Sequence, residues 1–286
     1  MSAIAESLAF WQDAMAFGVA PVPTIQPVKA LLVVAHPDDE SECAATVYRI
    51  THELDGLVDQ IVVTNGEGGH SYAEPAASYY RLPLHKKEGR ADLIRIRREE
   101  QLRASRTLGI RHTWFLDQPD AGVTPDIEEP VRSWDVELLK DRISRLIERE
   151  KYDLVIVLLP TAETHGHHKA VAVLTLEVIQ RLPAGQRPTV LGAQTEESSA
   201  FAGLDGYPLT RVADTHPVWS FDRRTPLKCH PALDHSIIVN WAVSEHKSQG
   251  FFQMESTRRR HEHFWLFETG GNARERWLTV SERIWG

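Results

Sequence analysis

Cysteine is nearly absent: Cys43 and Cys229 are the only two in 286 residues. That excludes a disulfide scaffold and a thiolate-built zinc site, and makes a reducing cytoplasm the simplest compartment. No apolar run is long enough to cross a bilayer, so no membrane span is expected. Met1 to Ala20 lacks a basic start and carries Glu6, Gln12 and Asp13, so it does not read as a signal peptide. A basic excess is missing as well. Acidic residues outnumber basic ones 40 to 32, a net charge of -8, which disfavours a broad nucleic-acid face. Repeats and low-complexity tracts are also lacking. What remains is an ordinary globular composition, 42% hydrophobic and 25% charged, with 14 histidines that make metal chemistry worth seeking.

The spacing of Leu8, Trp11 and Met15 predicts a helix over Ser2 to Phe17, and Pro21, Pro23 and Pro27 then break the chain. Residues 1–29 thus read as an N-terminal helix and a Pro-rich lead-in. Beyond them, short apolar runs alternate with amphipathic stretches. Ala30–Ala35 (ALLVVA), Gln60–Thr64, His112–Leu116, Leu154–Leu159 (LVIVLL) and a segment near Val190 read as strands. Helices are expected over residues 40–54, 92–108 (stopped by Gly109), 135–150 and 168–181. Residues 66–87, rich in Gly, Pro, Ser and Tyr, read as a long loop of the kind that covers a site.

This alternation predicts an α/β fold: a doubly wound, Rossmann-like, mostly parallel sheet of five or more strands, in the order 3-2-1-4-5. Residues 30–286 read as one domain. Within it, 194–286 form a C-terminal elaboration with short strands at Val218–Phe221 and His235–Val239 and a helix from about Trp241.

Two polar clusters sit directly after apolar strands. His36-Pro37-Asp38-Asp39-Glu40 follows the first, and His165-Gly166-His167-His168 follows the fourth. In the expected strand order the winding reverses between these two strands, where open α/β sheets gather ligands. Imidazole and carboxylate suit borderline divalent metals, and three protein ligands leave a position for water. His36, Asp39 and His168 would make such a set, with Asp38 and His165 left over beside it. The competing reading is that the aspartates merely cap the helix that follows.

Ala35-His36-Pro37-Asp38-Asp39-Glu40 with a later His-x-x-His loop resembles the LmbE/PIG-L-like family of zinc-dependent N-deacetylases, over about Leu31 to Val178. Thr64-Asn65-Gly66-Glu67-Gly68, Arg97-Arg98-Glu99-Glu100, Pro119-Asp120-Ala121-Gly122 and His246-Lys247-Ser248-Gln249 are similar to further elements of that family. The resemblance implies a Zn2+ or similar divalent ion on His36, Asp39 and His168. It makes Asp38 the general base and a protonated His165 the group that stabilises or protonates the tetrahedral intermediate. Arg97, Glu67 and Asp120 are the candidates for substrate contact, against plainer readings as a solvated helix face and loop polars. The family's loop reads His-Pro-Asp-His; here Gly166-His167 replace Pro-Asp, so the carboxylate that would support His165 is missing, and Glu163 is a candidate stand-in.

The expected activity is removal of the N-acetyl or N-acyl group from an amino sugar or its conjugate. The expected partner is that small molecule, with no nucleic acid, no membrane and homo-oligomerisation left open. Two alternatives stand beside it: a metal-retaining, non-catalytic carbohydrate-binding protein, and an amidohydrolase of another N-acyl substrate. His261-Glu262-His263 lacks the HExxH spacing and reads as a polar surface or a structural pair. Arg258-Arg259-Arg260 reads as a solvated turn, and the aromatics Phe251, Phe252, Phe264, Trp265 and Phe267 as packing. His70 and His85 read as loop polars.

Overall fold

Unbroken apolar runs become strands buried on both faces. In β1 (Lys29–Val34) five of six residues are buried, and in β4 (Leu154–Leu158) all are. The computed structural model describes residues 26–195, 200–250, 258–270 and 272–285. With β2 (Leu57–Thr64), β3 (His112–Gln118), β5 (Thr189–Gln194), β6 (Trp219–Asp222) and β9 (His261–Leu266), these strands form a seven-stranded sheet ordered β3-β2-β1-β4-β5-β9-β6. The first five run parallel in the expected 3-2-1-4-5 order, and β9 and β6 extend the sheet antiparallel. A two-stranded ribbon, β7 (Pro226–Leu227) with β8 (His230–Asp234), lies apart from it.

Alternation along β1 divides the core. Leu32 and Val34 face one cluster, which includes α1 (Ala44–Tyr48), α3 (Arg90–Leu108), α7 (Ser236–Glu245) and α8 (Ala273–Trp285). Leu31 and Val33 face the other, with α5 (Val136–Glu150) and α6 (Gly166–Arg181). In α5 the buried Leu139, Ile143, Leu146 and Ile147 make a helical stripe, and the Asp135 carboxylate caps its start by accepting from the Leu138 N–H at 3.0 Å. The shorter helices α2 (Glu74–Tyr80) and α4 (Glu128–Ser133) lie before α3 and α5. No helix among the described residues is long and apolar enough to cross a membrane.

Several local expectations differ. The helix predicted over Ser2 to Phe17, with Phe251 and Phe252, lies outside the described residues. Residues 40–54 form a 3-10 turn (Asp39–Cys43), α1, and a π turn (Arg49–Glu53) in succession. The segment 66–87 is not one loop: it carries a 3-10 turn (Glu67–Tyr72) and α2. His235–Val239 is not a strand. The β-branched run Ile237-Ile238-Val239 begins α7, because the Asp234 carboxylate accepts from the Ser236 N–H at 3.0 Å, and Ile238, Val239, Ala242 and Val243 bury one helical face. His261-Glu262-His263 starts β9. The buried Glu262 pairs with Arg223 and accepts from the Ala45 and Thr46 N–H groups at 2.8 and 2.9 Å, so this motif caps α1 from across the fold. Phe264, Trp265 and Phe267 are core, as expected.

Candidate functional site

β1 pairs with β2 on one side and β4 on the other, so the chain's winding reverses at its carboxyl end. There Asp39 serves both readings of its segment. One oxygen, Oδ2, accepts from the Ala35 and His36 N–H groups, each at 2.9 Å, and closes the turn. The other, Oδ1, lies 3.1 Å from His168 Nε2 and 3.6 Å from His36 Nδ1, and those two nitrogens are 3.1 Å apart. Three donors held ~2.0–2.1 Å from one tetrahedral ion stand about 3.3 Å apart. The triangle therefore fits a divalent metal in size and in donor chemistry. Burial would raise Asp39, but the facing His168 and His36 outweigh it and hold the carboxyl well below the usual range. Burial would lower His36, and Asp39 outweighs that and raises it.

Asp38 stands beside this set in the left-handed backbone region, at φ 102°. Its N–H is held by Glu40 Oε2 at 3.2 Å and Gln101 Oε1 at 3.1 Å, which stabilises the strained turn. Burial pushes its carboxyl up to about 6, against the pull of Arg97. Arg97 is buried, not solvated. Its guanidinium donates to Asp38 Oδ2 at 3.0 Å and to the carbonyls of Pro37 and Gly66. A Cβ on Gly66 or Gly69 would run into that guanidinium, so the glycine-rich segment after β2 is the cradle that admits it.

The tail braces the same network. His246 Nε2 lies 2.6 Å from Glu40 Oε1, Ser248 Oγ donates to Glu100 at 2.6 Å, and Gln249 donates to the Gly69 carbonyl at 3.2 Å. Burial would lower His246, but Glu40 outweighs it and raises its pKa.

His165 caps α6: its Nδ1 accepts from the His167 N–H at 3.0 Å, leaving Nε2 as the hydrogen-bearing nitrogen. Burial, then the neighbouring His36, His168 and His167 rings, push it down to about 3. These surroundings favour a neutral imidazole rather than the protonated one expected. Burial, with His36 next, pushes His167 down to about 4. Glu163 is exposed; the carboxylates that face His167 are Asp120 and Glu129, at 3.7 and 3.8 Å. Glu67 Oε1 accepts from the Asp120 N–H at 3.1 Å and so holds that loop.

A cleft of about 490 Å³, within the small-molecule range, is lined by His36, Asp38, Asp39, Arg97, Asp120, His165 and His168, and also by Tyr72, Gln194 and Arg259. Of the residues expected at the site, only Glu67 does not line it. Sequence reading named Glu40 and His246 only within motifs, without a role, and missed Gln101 and the buried side of Arg97. One signal was present. The buried stripe of α3 runs Leu93, Ile96, Arg97, Glu100, Gln101, Ala104, and polar residues in a helix's core positions need partners.

A family model described as PIG-L: GlcNAc-PI de-N-acetylase matches residues 31–179. The probable N-acetyl-alpha-D-glucosaminyl L-malate deacetylase 2 of Bacillus anthracis is 28% identical over 159 residues, which are 56% of this chain and 62% of that protein. The match thus spans less than two thirds of that relative. Among solved structures, the N,N'-diacetylchitobiose deacetylase from Pyrococcus horikoshii, complexed with an inhibitor, is similar at TM-score 0.57 and 15% identity, covering 94% of both chains. GalB, the 4-carboxy-2-hydroxymuconate hydratase from Pseudomonas putida KT2440, is similar at TM-score 0.56 and 15% identity, covering 84% of this chain and 95% of that one. At such identities these two likenesses speak to the fold alone.

Proposed function

This chain belongs to the PIG-L (GlcNAc-PI de-N-acetylase) family, and from that premise we propose that it is a zinc-dependent hydrolase removing the N-acyl group of an amino sugar or amino-sugar conjugate. The observation that carries the reading is the His36–Asp39–His168 triangle beside a carboxylate, Asp38, that the triangle leaves free. An ion held by those three residues would act as a Lewis acid on the acyl carbonyl and the attacking water. Asp38 takes the proton of that water and returns it to the leaving amine, a base whose carboxyl near 6 is ionised at neutral pH. Arg97, itself at the cleft wall, holds the Asp38 carboxylate through a 3.0 Å bond, and its charge favours the ionised form of that base. His165, neutral and with hydrogen on Nε2, donates to the oxygen on which negative charge develops. Glu67 acts through Asp120, by holding its loop at the cleft wall.

The test is metal analysis together with an amine-release screen over N-acetylated sugars and their conjugates. About one divalent ion per chain and release from at least one substrate are expected. Asp38→Asn should keep the ion and lose on the order of 10²-fold or more in rate. Full metal occupancy in His168→Ala would overturn the ligand set. Release only from N-acyl compounds without a sugar would move the substrate class, and sugar binding without any release would leave a binding protein.

A further inference from the structure

His167 stands where the similar family's loop carries an aspartate, and it has its own place in the fold. The side chain is 1% exposed and packs against Trp134, with ring centroids 5.3 Å apart. Its Nδ1 lies 2.9 Å from Nε2 of His36, 131 residues away in the chain. Among the described residues its Nε2 has no hydrogen-bond partner, and neither has Glu129 Oε2, 3.8 Å away. Asp120 is farther from His36 Nε2, at 4.0 Å.

A neutral imidazole has one lone pair and one N–H. With the Nδ1 lone pair of His36 aimed at the Asp39–His168 set, its hydrogen is on Nε2, where only His167 Nδ1 lies within hydrogen-bond range among the partners above. His167 must then carry its own hydrogen on Nε2, aimed at Glu129. Resting on the metal reading above, we propose that His167 is the positioning residue of His36: it accepts the Nε2 hydrogen and fixes the ring's tautomer and plane. Partners of this kind govern how well a ligating histidine holds its metal.

The same geometry has a rival. His36, His165 and His167 also converge within 4.8 Å and could hold an ion of their own. Two ions at once would require His36 to lend both nitrogens as an imidazolate, so a supporting role fits the neutral ring and a second site does not.

The experiment is zinc and Co2+ titration of the whole protein, read by stoichiometry, affinity and the visible Co2+ spectrum. The wild type should bind one ion. His167→Leu should bind one ion roughly 10- to 100-fold more weakly with a shifted spectrum, and His167→Asn, which restores an acceptor, should recover most of both. Long-range ¹H–¹⁵N correlation on the zinc-loaded wild type needs no variant, and should place hydrogen on Nε2 of both His36 and His167. Unchanged affinity and spectrum in His167→Leu would overturn the role of His167 alone; hydrogen on Nδ1 of His36 would overturn it together with the Nδ1 ligand assignment. A second equivalent lost in His167→Leu would make it a ligand and overturn the proposal. A wild type that binds no ion would overturn the metal reading itself, and this with it.

Discussion

Replacing Arg97 by glutamine removes a buried positive charge 3.0 Å from Asp38 and leaves an amide that can still donate one hydrogen bond. Arg97 favours the charged form of Asp38, so its loss raises the Asp38 pKa from a starting point that burial has already set near 6. An opposite charge at such range is worth ~1–3 units. A group titrating at about 6 is roughly nine-tenths ionised at pH 7, and one titrating at about 8 is roughly one-tenth ionised. Arg97→Gln should therefore lose about tenfold in kcat/KM at pH 7 and recover most of it near pH 9. A bound ion would lower both proteins' limbs together, so the displacement between them carries the test. The assay is a pair of kcat/KM profiles from pH 5 to 10 on metal-loaded protein, whose acidic limb reports the free enzyme's base. Three bonds to Asp38, Pro37 and Gly66 are also disturbed, which costs about 3–5 kcal/mol if the carboxylate is left unpaired. Thermal melts must accompany the kinetics. An acidic limb that stays put or moves down in a folded, metal-loaded variant would refute the reasoning.

Asp59 and Glu262 give two further expectations, both on stability. Burial would raise Asp59, but the Arg111 fork, the Tyr152 hydroxyl and His112 outweigh it and hold its pKa below the ordinary value. Its contribution is thus present above about pH 4, the unfolded value, and lost as pH falls through the folded one. Asp59→Asn should cost about 1–3 kcal/mol of stability in urea melts at pH 6 and differ less at pH 3; a gap that widens in acid would contradict this. Glu262→Gln breaks a buried pair with Arg223 and weakens the cap on α1, for an expected loss of about 3–5 kcal/mol in denaturant melts. A loss under about 1 kcal/mol would show that the pair is not what anchors β9 to that helix.

Alternating strand and helix segments were enough to predict parallel strands in the common 3-2-1-4-5 order; β1 and β4 are apolar throughout because both their faces are buried, whereas β3, at the sheet edge, is mostly half-exposed. The same segments also placed His36, Asp39, His165 and His168 at one sheet edge, since each cluster follows its strand directly. Periodicity reports only which local face is buried, and that limit decided the rest. The run Ile237-Ile238-Val239 suits a strand as well as a helix, and a carboxylate cap with a packed face made it α7. The antiparallel place of β9 beside β5 came from pairing across the fold, and no local spacing encodes a partner some 70 residues earlier in the chain. Arg97 read as either a substrate contact or a solvated charge on its helix; its cradle is two glycines 31 and 28 positions away and its ion partner is Asp38. His167 likewise looked like a substitution that weakens His165, until the sheet brought it against His36. A buried polar group must be satisfied by whatever the tertiary structure brings within about 3 Å, and that distance is set by the whole chain's packing rather than by its neighbours in sequence.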